Sequence, residues 1–372
     1  MPDFSVLEPV IDPANKITFL LDWELTMKCN LDCSYCPSGL HGGHDNSTAH
    51  PPLTQVVDSI DFMFAYADLY MSYKPQGLKY VVLNVYGGEA LHYPDVELVL
   101  EEVRKKYKPY QHKWHLTVTS TTNLILTEKK LEKVLPYIDE FTVSFHAEST
   151  AKQQEQFKKN ILTLKESGVR IKCIVMMHNR TDLFPVCLEM IQWLQSQNIK
   201  YLPKQIDSET TNLYHQEQVV WFDKFYGSQS IPKNLIGQDR VDLSETGRAC
   251  CGGRAMCQDN NRSQKQTWVL DNKFQGWSCS VNWFFLFVKQ YNNEVYVNKD
   301  CKMRFDGTVG PIGILSESKK ILEDLKSNLE NKSLPVITCA KHKCHCGLCA
   351  PKAQTPELFN QMFSKYTKDY YQ

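Results

Sequence analysis

Residues Ile17 to Cys36 read Ile-Thr-Phe-Leu-Leu-Asp-Trp-Glu-Leu-Thr-Met-Lys-Cys-Asn-Leu-Asp-Cys-Ser-Tyr-Cys. The largely apolar run Ile17–Leu25 predicts a strand. Cys29, Cys33 and Cys36 follow in one short loop, separated by three and then two residues. Three thiols so close in sequence can converge on a single metal centre, and thiolates are the usual ligands of iron–sulfur clusters. A tetrahedral zinc site or a four-iron cluster normally takes four protein ligands, yet no fourth Cys or His appears before His41. A cluster held by three thiolates leaves one iron open to something other than protein.

Outward from this stretch, strands and helices alternate. Pro37 to Pro52 is a loop with Gly39, Gly42, Gly43, His41, His44 and His50, read as a solvated lid. A helix runs from Thr54, its N-cap, through Val56, Ile60, Met63, Phe64 and Ala67. Lys79–Tyr86 is the second strand, and Tyr93-Pro94 opens the next helix. His115–Thr121 is the third strand, followed by a short helix from Thr127. Glu140–Phe145 is the fourth strand, and Ser149 or Thr150 starts a helix that Gly168 ends. Val169–Met177, a helix from Pro185 and Ile199–Gln205 complete six strand–helix units within residues 17–206. Such alternation implies parallel strands with right-handed crossovers, in an open doubly wound sheet or an incomplete barrel.

The spacing Cys-x3-Cys-x2-Cys, with Tyr35 before the last cysteine, resembles the signature of the radical S-adenosylmethionine (SAM) superfamily. That resemblance implies a partial (β/α)6 barrel of the TIM type, with the cysteine loop after strand one. It also implies a [4Fe–4S] cluster on Cys29, Cys33 and Cys36 whose open iron binds SAM, and a 5′-deoxyadenosyl radical made by reductive cleavage. Gly87-Gly88-Glu89 after strand two resembles the family element that contacts the SAM amino group. Strand three ends in Thr119-Ser120-Thr121-Thr122-Asn123; Asn123 takes the place of the family's Asn, and Leu124 stands where glycine is usual. Ser144 and His146, at the end of strand four, occupy the positions of the family's Ser-x-Asp, and with Glu148 they share one face at period two. Lys204 and Gln205, ending strand six, are placed to reach the same pocket.

Of fourteen cysteines, Cys173 and Cys187 read as small buried hydrophobes. Cys279 and Cys301 bracket a hairpin (Val281–Val288, a turn at Asn292-Asn293, Glu294–Val297) and precede Cys339, Cys344, Cys346 and Cys349. This order resembles the SPASM or twitch extension, which holds auxiliary [4Fe–4S] clusters, so at least one is expected on this cysteine-rich α+β segment. Its knot departs from the usual spacing. Cys250, Cys251 and Cys257 form a second, compact group. A structural zinc site is the alternative reading for the region.

The expected organisation is therefore an N-terminal extension (1–16), the barrel (17–206), a helical or irregular linker (207–245), the cysteine-rich region (246–350) and a C-terminal helix (351–372). Lys plus Arg and Asp plus Glu both total 42, unlike the basic footprint of a general nucleic-acid binder. No uncharged apolar run approaches membrane-spanning length, and the first sixteen residues do not read as a secretory signal. Free thiols on this scale point to a reducing, cytoplasmic setting. The resemblance implies an electron donor of flavodoxin or ferredoxin type. The substrate expectation leans to a peptide or protein side chain, with a small molecule or RNA nucleoside as alternatives. The rival class is a zinc-binding interaction protein without catalysis.

Overall fold

The computed structural model describes residues 6–7, 16–36, 49–74, 78–206, 213–226, 240–242, 274–299, 301–331, 336–340 and 352–366. Six strands succeed one another in sequence and in space: β1 (Lys16–Thr26), β2 (Leu78–Gly87), β3 (His115–Thr122), β4 (Glu140–His146), β5 (Arg170–Met177) and β6 (Tyr201–Gln205). Every neighbouring pair among them is parallel. The crossovers carry α1 (Leu53–Ser72), α2 (Val96–Tyr107), α3 (Glu128–Val134), α4 (Ala151–Glu166) and α5 (Phe184–Ser196). Beyond β1 the sheet continues with β7 (Phe285–Lys289), parallel to β1, then β8 (Glu294–Tyr296) and the short strand Gly313–Ile314, both antiparallel to their neighbours. The sheet's two edges are not paired with each other among the described residues. This is an α/β fold with a partial barrel.

The two faces of the sheet differ in chemistry. On β2, Val81, Leu83 and Val85 are buried under the helices, whereas Val82, Asn84 and Tyr86 are half-exposed on the other face. The same alternation puts Phe141, Val143 and Phe145 beneath helices on β4, where Phe145 meets Phe157 of α4, and leaves Thr142, Ser144 and His146 half-exposed. A full TIM barrel fills its interior with branched apolar layers. Here the lumen is lined by Asn84, Thr119, Thr121, Thr142 and Ser144 and remains partly open. The hydrophobic core lies between sheet and helices.

Local signals set the ends of α3 and α4. Thr127 caps α3 by accepting from Lys130 N, and Thr150 with Gln153 forms a capping box on α4. Gly168 follows α4 with φ +75°, a left-handed C′ position. α1 differs from expectation: it begins at Leu53, its N-cap is Pro52 with no side-chain cap, and Thr54 lies inside the first turn. Pro51-Pro52 holds the chain extended up to the helix, and Pro52 O accepts the first bond, from Val56 N, at 3.1 Å. α2 starts at Val96, after a 3-10 turn at Ala90–His92, rather than at Tyr93-Pro94.

The run Val281–Val288 is not one strand. Val281–Trp283 is a 3-10 turn and only Phe285–Lys289 enters the sheet. The turn after it places Asn293 at φ 61°, a conformation that Asn tolerates. A second, four-stranded sheet joins Val6–Leu7, Lys352–Ala353, Ser278–Cys279 and Ile337–Thr338. Helices follow at Gln216–Tyr226, Ser318–Glu330 and Pro356–Tyr366.

Candidate active site

Cys29, Cys33 and Cys36 lie in the loop that leaves β1, each half-buried and free. Burial pushes their thiols up, to about 11 for Cys29 and about 12 for the other two; Cys33 also feels Cys29 and Cys36, and Cys36 feels Cys29. The three sulfurs are thus electrostatic neighbours. Two donors already point at Cys29 Sγ: Leu31 N–H at 3.4 Å and Asn123 Nδ2 at 3.7 Å. Among the described residues no three Cys, His, Asp or Glu side chains converge as one mononuclear metal ion would require.

Gly87-Gly88-Glu89 ends β2 against this loop. Gly88 N–H donates to Thr26 O and Glu89 N–H to Lys28 O, each at 2.8 Å. A Cβ on Gly87 would sit 2.1 Å from Thr26 O, and one on Gly88 2.3 Å from Met27 O and 2.6 Å from Lys28 O. The glycines are therefore required by the backbone entering the cysteine loop. Glu89 is fully buried: Oε1 accepts from Leu91 N at 3.2 Å and Thr122 Oγ1 at 2.8 Å, and Oε2 from Asn123 N at 2.6 Å. Burial raises its pKa to about 7 against those three donors. Glu89 pins the end of β3.

Asn123, held there, donates through Nδ2 to Asn30 Oδ1 at 2.7 Å and accepts at Oδ1 from Ile125 N at 3.0 Å. Leu124, at the family's glycine position, adopts φ 57° with its side chain wholly buried. A left-handed leucine costs on the order of 1–2 kcal/mol, which burial of the side chain offsets.

His146 reaches the loop from the end of β4. Its Nδ1 lies 3.5 Å from Cys33 Sγ and 2.5 Å from the Tyr35 hydroxyl, and the two rings stack at 6.0 Å. Ser144 stands two residues earlier on the lumen face. Glu148 accepts from Ser34 N at 2.7 Å and from Ser34 Oγ, and its Oε1 is 3.1 Å from His178 Nε2. His178 Nδ1 accepts from Arg180 N at 3.1 Å, so its Nε2 carries the proton donated to Glu148. Burial lowers the His178 pKa despite that carboxylate. Sequence reading places Glu148 on the right face but misses its grip on the loop. It also misses Asn30 and His178, since nothing in their spacing marks contacts made across 93 and 30 residues.

Cys279, Cys301 and Cys339 are all buried; Ser278–Cys279 pairs with Ile337–Thr338, and Cys339, one residue past that strand, donates from its N–H to Trp277 O at 2.9 Å. Cys250, Cys251, Cys257, Cys344, Cys346 and Cys349 lie outside the described residues, as do His41 and His44. His50 is described: its Nδ1 sits 3.0 Å from Thr26 Oγ1. Lys204 is exposed on the edge strand β6, and Gln205 is half-buried beside it.

Residues 23–183 match the family model of the Radical SAM superfamily. The chain carries a radical SAM domain. A protein built on this domain is an enzyme, of a subclass the fold leaves open. Among solved structures, a hexahistidine-tagged anSMEcpe with bound AdoMet is similar at 14% identity, with a TM-score of 0.51 and coverage of 95% of this chain and 93% of that one. Native anSMEcpe with bound AdoMet and Kp18Cys peptide aligns at 13% identity and a TM-score of 0.49, covering 95% and 97%. At these identities the likeness concerns the fold. No curated protein matches the sequence.

The radical SAM family implies a [4Fe–4S] cluster and SAM, and the loop fits the cluster. It offers three soft sulfur donors as electrostatic neighbours, with N–H groups already turned to one of them. A cubane presents its irons at separate corners, so its ligands need not converge as those of one ion do.

Proposed function

We propose that this enzyme cleaves SAM reductively and that the resulting radical abstracts hydrogen from a polar substrate, a peptide or protein side chain, held in the barrel lumen. The observation that carries the reading is the three-thiol loop, locked by the ends of β2, β3 and β4. When bound, the reduced cluster supplies the electron that splits the SAM sulfonium and yields a 5′-deoxyadenosyl radical.

The chain's own residues bind, orient and exclude water. Cys29, Cys33 and Cys36 are the ligands. Tyr35 and His146 cover the loop on the β4 side, while Glu89 works through Asn123 to hold Asn30 and Cys29 in place. Gly87, Gly88 and Asn123 line the approach for the methionyl part of SAM, and Ser144 and His146 the nucleoside part. The half-exposed Thr and Asn side chains of the lumen hydrogen-bond a polar substrate. In the extension, Cys279, Cys301 and Cys339 are proposed ligands of an auxiliary cluster, completed from Cys344, Cys346 and Cys349. The proposed domain division is 1–16, 17–206, 207–245, 246–350 and 351–372. Among the described residues no helix is long and apolar enough to cross a membrane; a reducing cytoplasm and a flavodoxin- or ferredoxin-like donor complete the proposal.

The test is anaerobic reconstitution followed by dithionite and SAM. Formation of 5′-deoxyadenosine, lost in Cys33→Ala, is the expected result. A colourless zinc protein that leaves SAM intact would overturn the reading, and cleavage to methylthioadenosine would remove the hydrogen-abstraction step.

A further inference from the structure

Next to the candidate SAM site the lumen carries a charged cluster that the cofactor chemistry does not use. Parallel pairing sets Lys289, Glu24 and Tyr86 side by side across β7, β1 and β2, one residue before Gly87. Lys289 Nζ lies 5.6 Å from the Tyr296 ring centroid and Lys302 Nζ 5.1 Å from it. Both ammonium groups therefore gather over one ring.

The carboxylates beside them are turned to neutral donors. Glu294 Oε2 accepts from Asn292 Nδ2 at 2.6 Å and Tyr296 OH at 2.7 Å. Burial raises the Glu24 pKa, against the pull of Lys289 and Tyr291. Glu24 is 3% exposed, and its Oε2 is buried with no hydrogen-bond partner. Like charges gathered over one ring repel, and an unmatched buried acceptor is costly. One ligand relieves both: an anion between the lysines that also brings a donor to Glu24. Lys289, Lys302, Lys299 and Arg304 surround Glu24, Glu294 and Tyr296, an excess of positive charge. A carboxylate can sit between the lysines, whereas a phosphate dianion would bring more negative charge against Glu24.

We propose that Lys289 and Lys302 bind a substrate carboxylate, and that Glu24 accepts a neighbouring N–H of the same amino-acid unit. This rests on the lumen being the substrate site, and it narrows the substrate class to a peptide with an acidic residue or a free acidic amino acid. The ring row Tyr86–Phe287–Tyr296, stacked at 6.3 and 5.8 Å, would carry the aliphatic part toward the Gly87 end.

The test is calorimetric titration of the full-length, anaerobically purified protein, without reductant or SAM. The probes are acetyl-Ala-Glu-Ala-amide, its glutamine counterpart, free glutamate and glutarate. Saturable binding of an acidic probe is expected, at least about tenfold tighter than the glutamine peptide, with that preference erased in Lys289→Gln and Lys302→Gln. Glutarate should bind more weakly than glutamate to the wild type and equally well to Glu24→Gln. Whether the peptide or the free amino acid binds tighter identifies the source. Added salt should weaken the acidic probes alone, a readout on the wild type that survives if a variant does not fold. The proposal is overturned if glutamate and glutamine probes bind alike, if no acidic probe binds saturably, or if folded lysine variants keep the preference. Failure of SAM cleavage in the separate assay would leave these binding results untouched.

Discussion

Replacing Gly88 by alanine tests how tightly the end of β2 is locked to the cysteine loop. The new Cβ would lie 2.3 Å from Met27 O and 2.6 Å from Lys28 O, whereas real Cβ contacts stay beyond 3.0 Å. Backbone must therefore retreat by at least about 0.7 Å, one or two residues before Cys29. Overpacking of this kind costs about 1–3 kcal/mol. The two short backbone bonds, Gly88 N to Thr26 O and Glu89 N to Lys28 O, are worth about 1 kcal/mol each. A loss of about 3 kcal/mol is expected in urea unfolding. Metal sites tolerate displacements of only about 0.2 Å, so iron held by the loop should fall by more than about half, scored against a variant lacking all three cysteines. Gly168→Ala is the control: its added Cβ meets nothing within 4 Å, but φ is +75°, so it should cost about 1 kcal/mol and leave the iron unchanged. Equal behaviour of the two variants would refute the reasoning.

Glu148→Gln should loosen the loop where Ser34 is held, costing about 1–3 kcal/mol and accelerating iron loss to a chelator; unaltered iron retention would count against the clamp. His178 is neutral in the fold, with a pKa below that of the unfolded chain. The unfolded state therefore binds the extra proton first, and stability falls as pH drops below about 6.5, by up to about 1.4 kcal/mol per pH unit. His178→Gln should flatten that fall in urea titrations between pH 7 and 5. Lys74 is buried without a hydrogen-bond partner, its Nζ 4.4 Å from the Phe284 ring centroid, and burial drives its pKa well below 10.5. Burial opposes its charged form, so Lys74→Met should raise stability at neutral pH by about 1–2 kcal/mol. The gain should shrink as pH approaches 10.5, and a variant less stable than wild type at pH 7 would contradict this.

Much of the barrel is legible in the sequence because each unit repeats a local pattern. Alternation on β2 and β4 announces strands with two different faces, and Thr127, Thr150 and Gly168 mark helix ends through short-range chemistry. Where a boundary depends on competition the pattern misleads: Thr54 looks like a cap, but Pro51-Pro52 fixes the entry instead. The run Val281–Val288, apolar but for Asn282, hides a break, since period cannot separate a 3-10 turn from a strand when every side chain is buried. Its return to pair with β1 is a long-range event that no spacing encodes. The site shows the same division. Cys29, Cys33 and Cys36 declare themselves in eight residues. Glu89 reads as a ligand contact, whereas its role as a backbone anchor shows only in the fold, and Tyr35–His146 and Ser34–Glu148 emerge only when the ends of β1 and β4 meet.

The central claim, a cluster on Cys29, Cys33 and Cys36 with one iron open to SAM, is tested most directly by electron paramagnetic resonance of the dithionite-reduced protein before and after SAM is added. A signal whose g-values move on addition of SAM, and which is missing from Cys33→Ala, is the predicted result. A spectrum indifferent to SAM, or the same spectrum in the Cys33 variant, would contradict it.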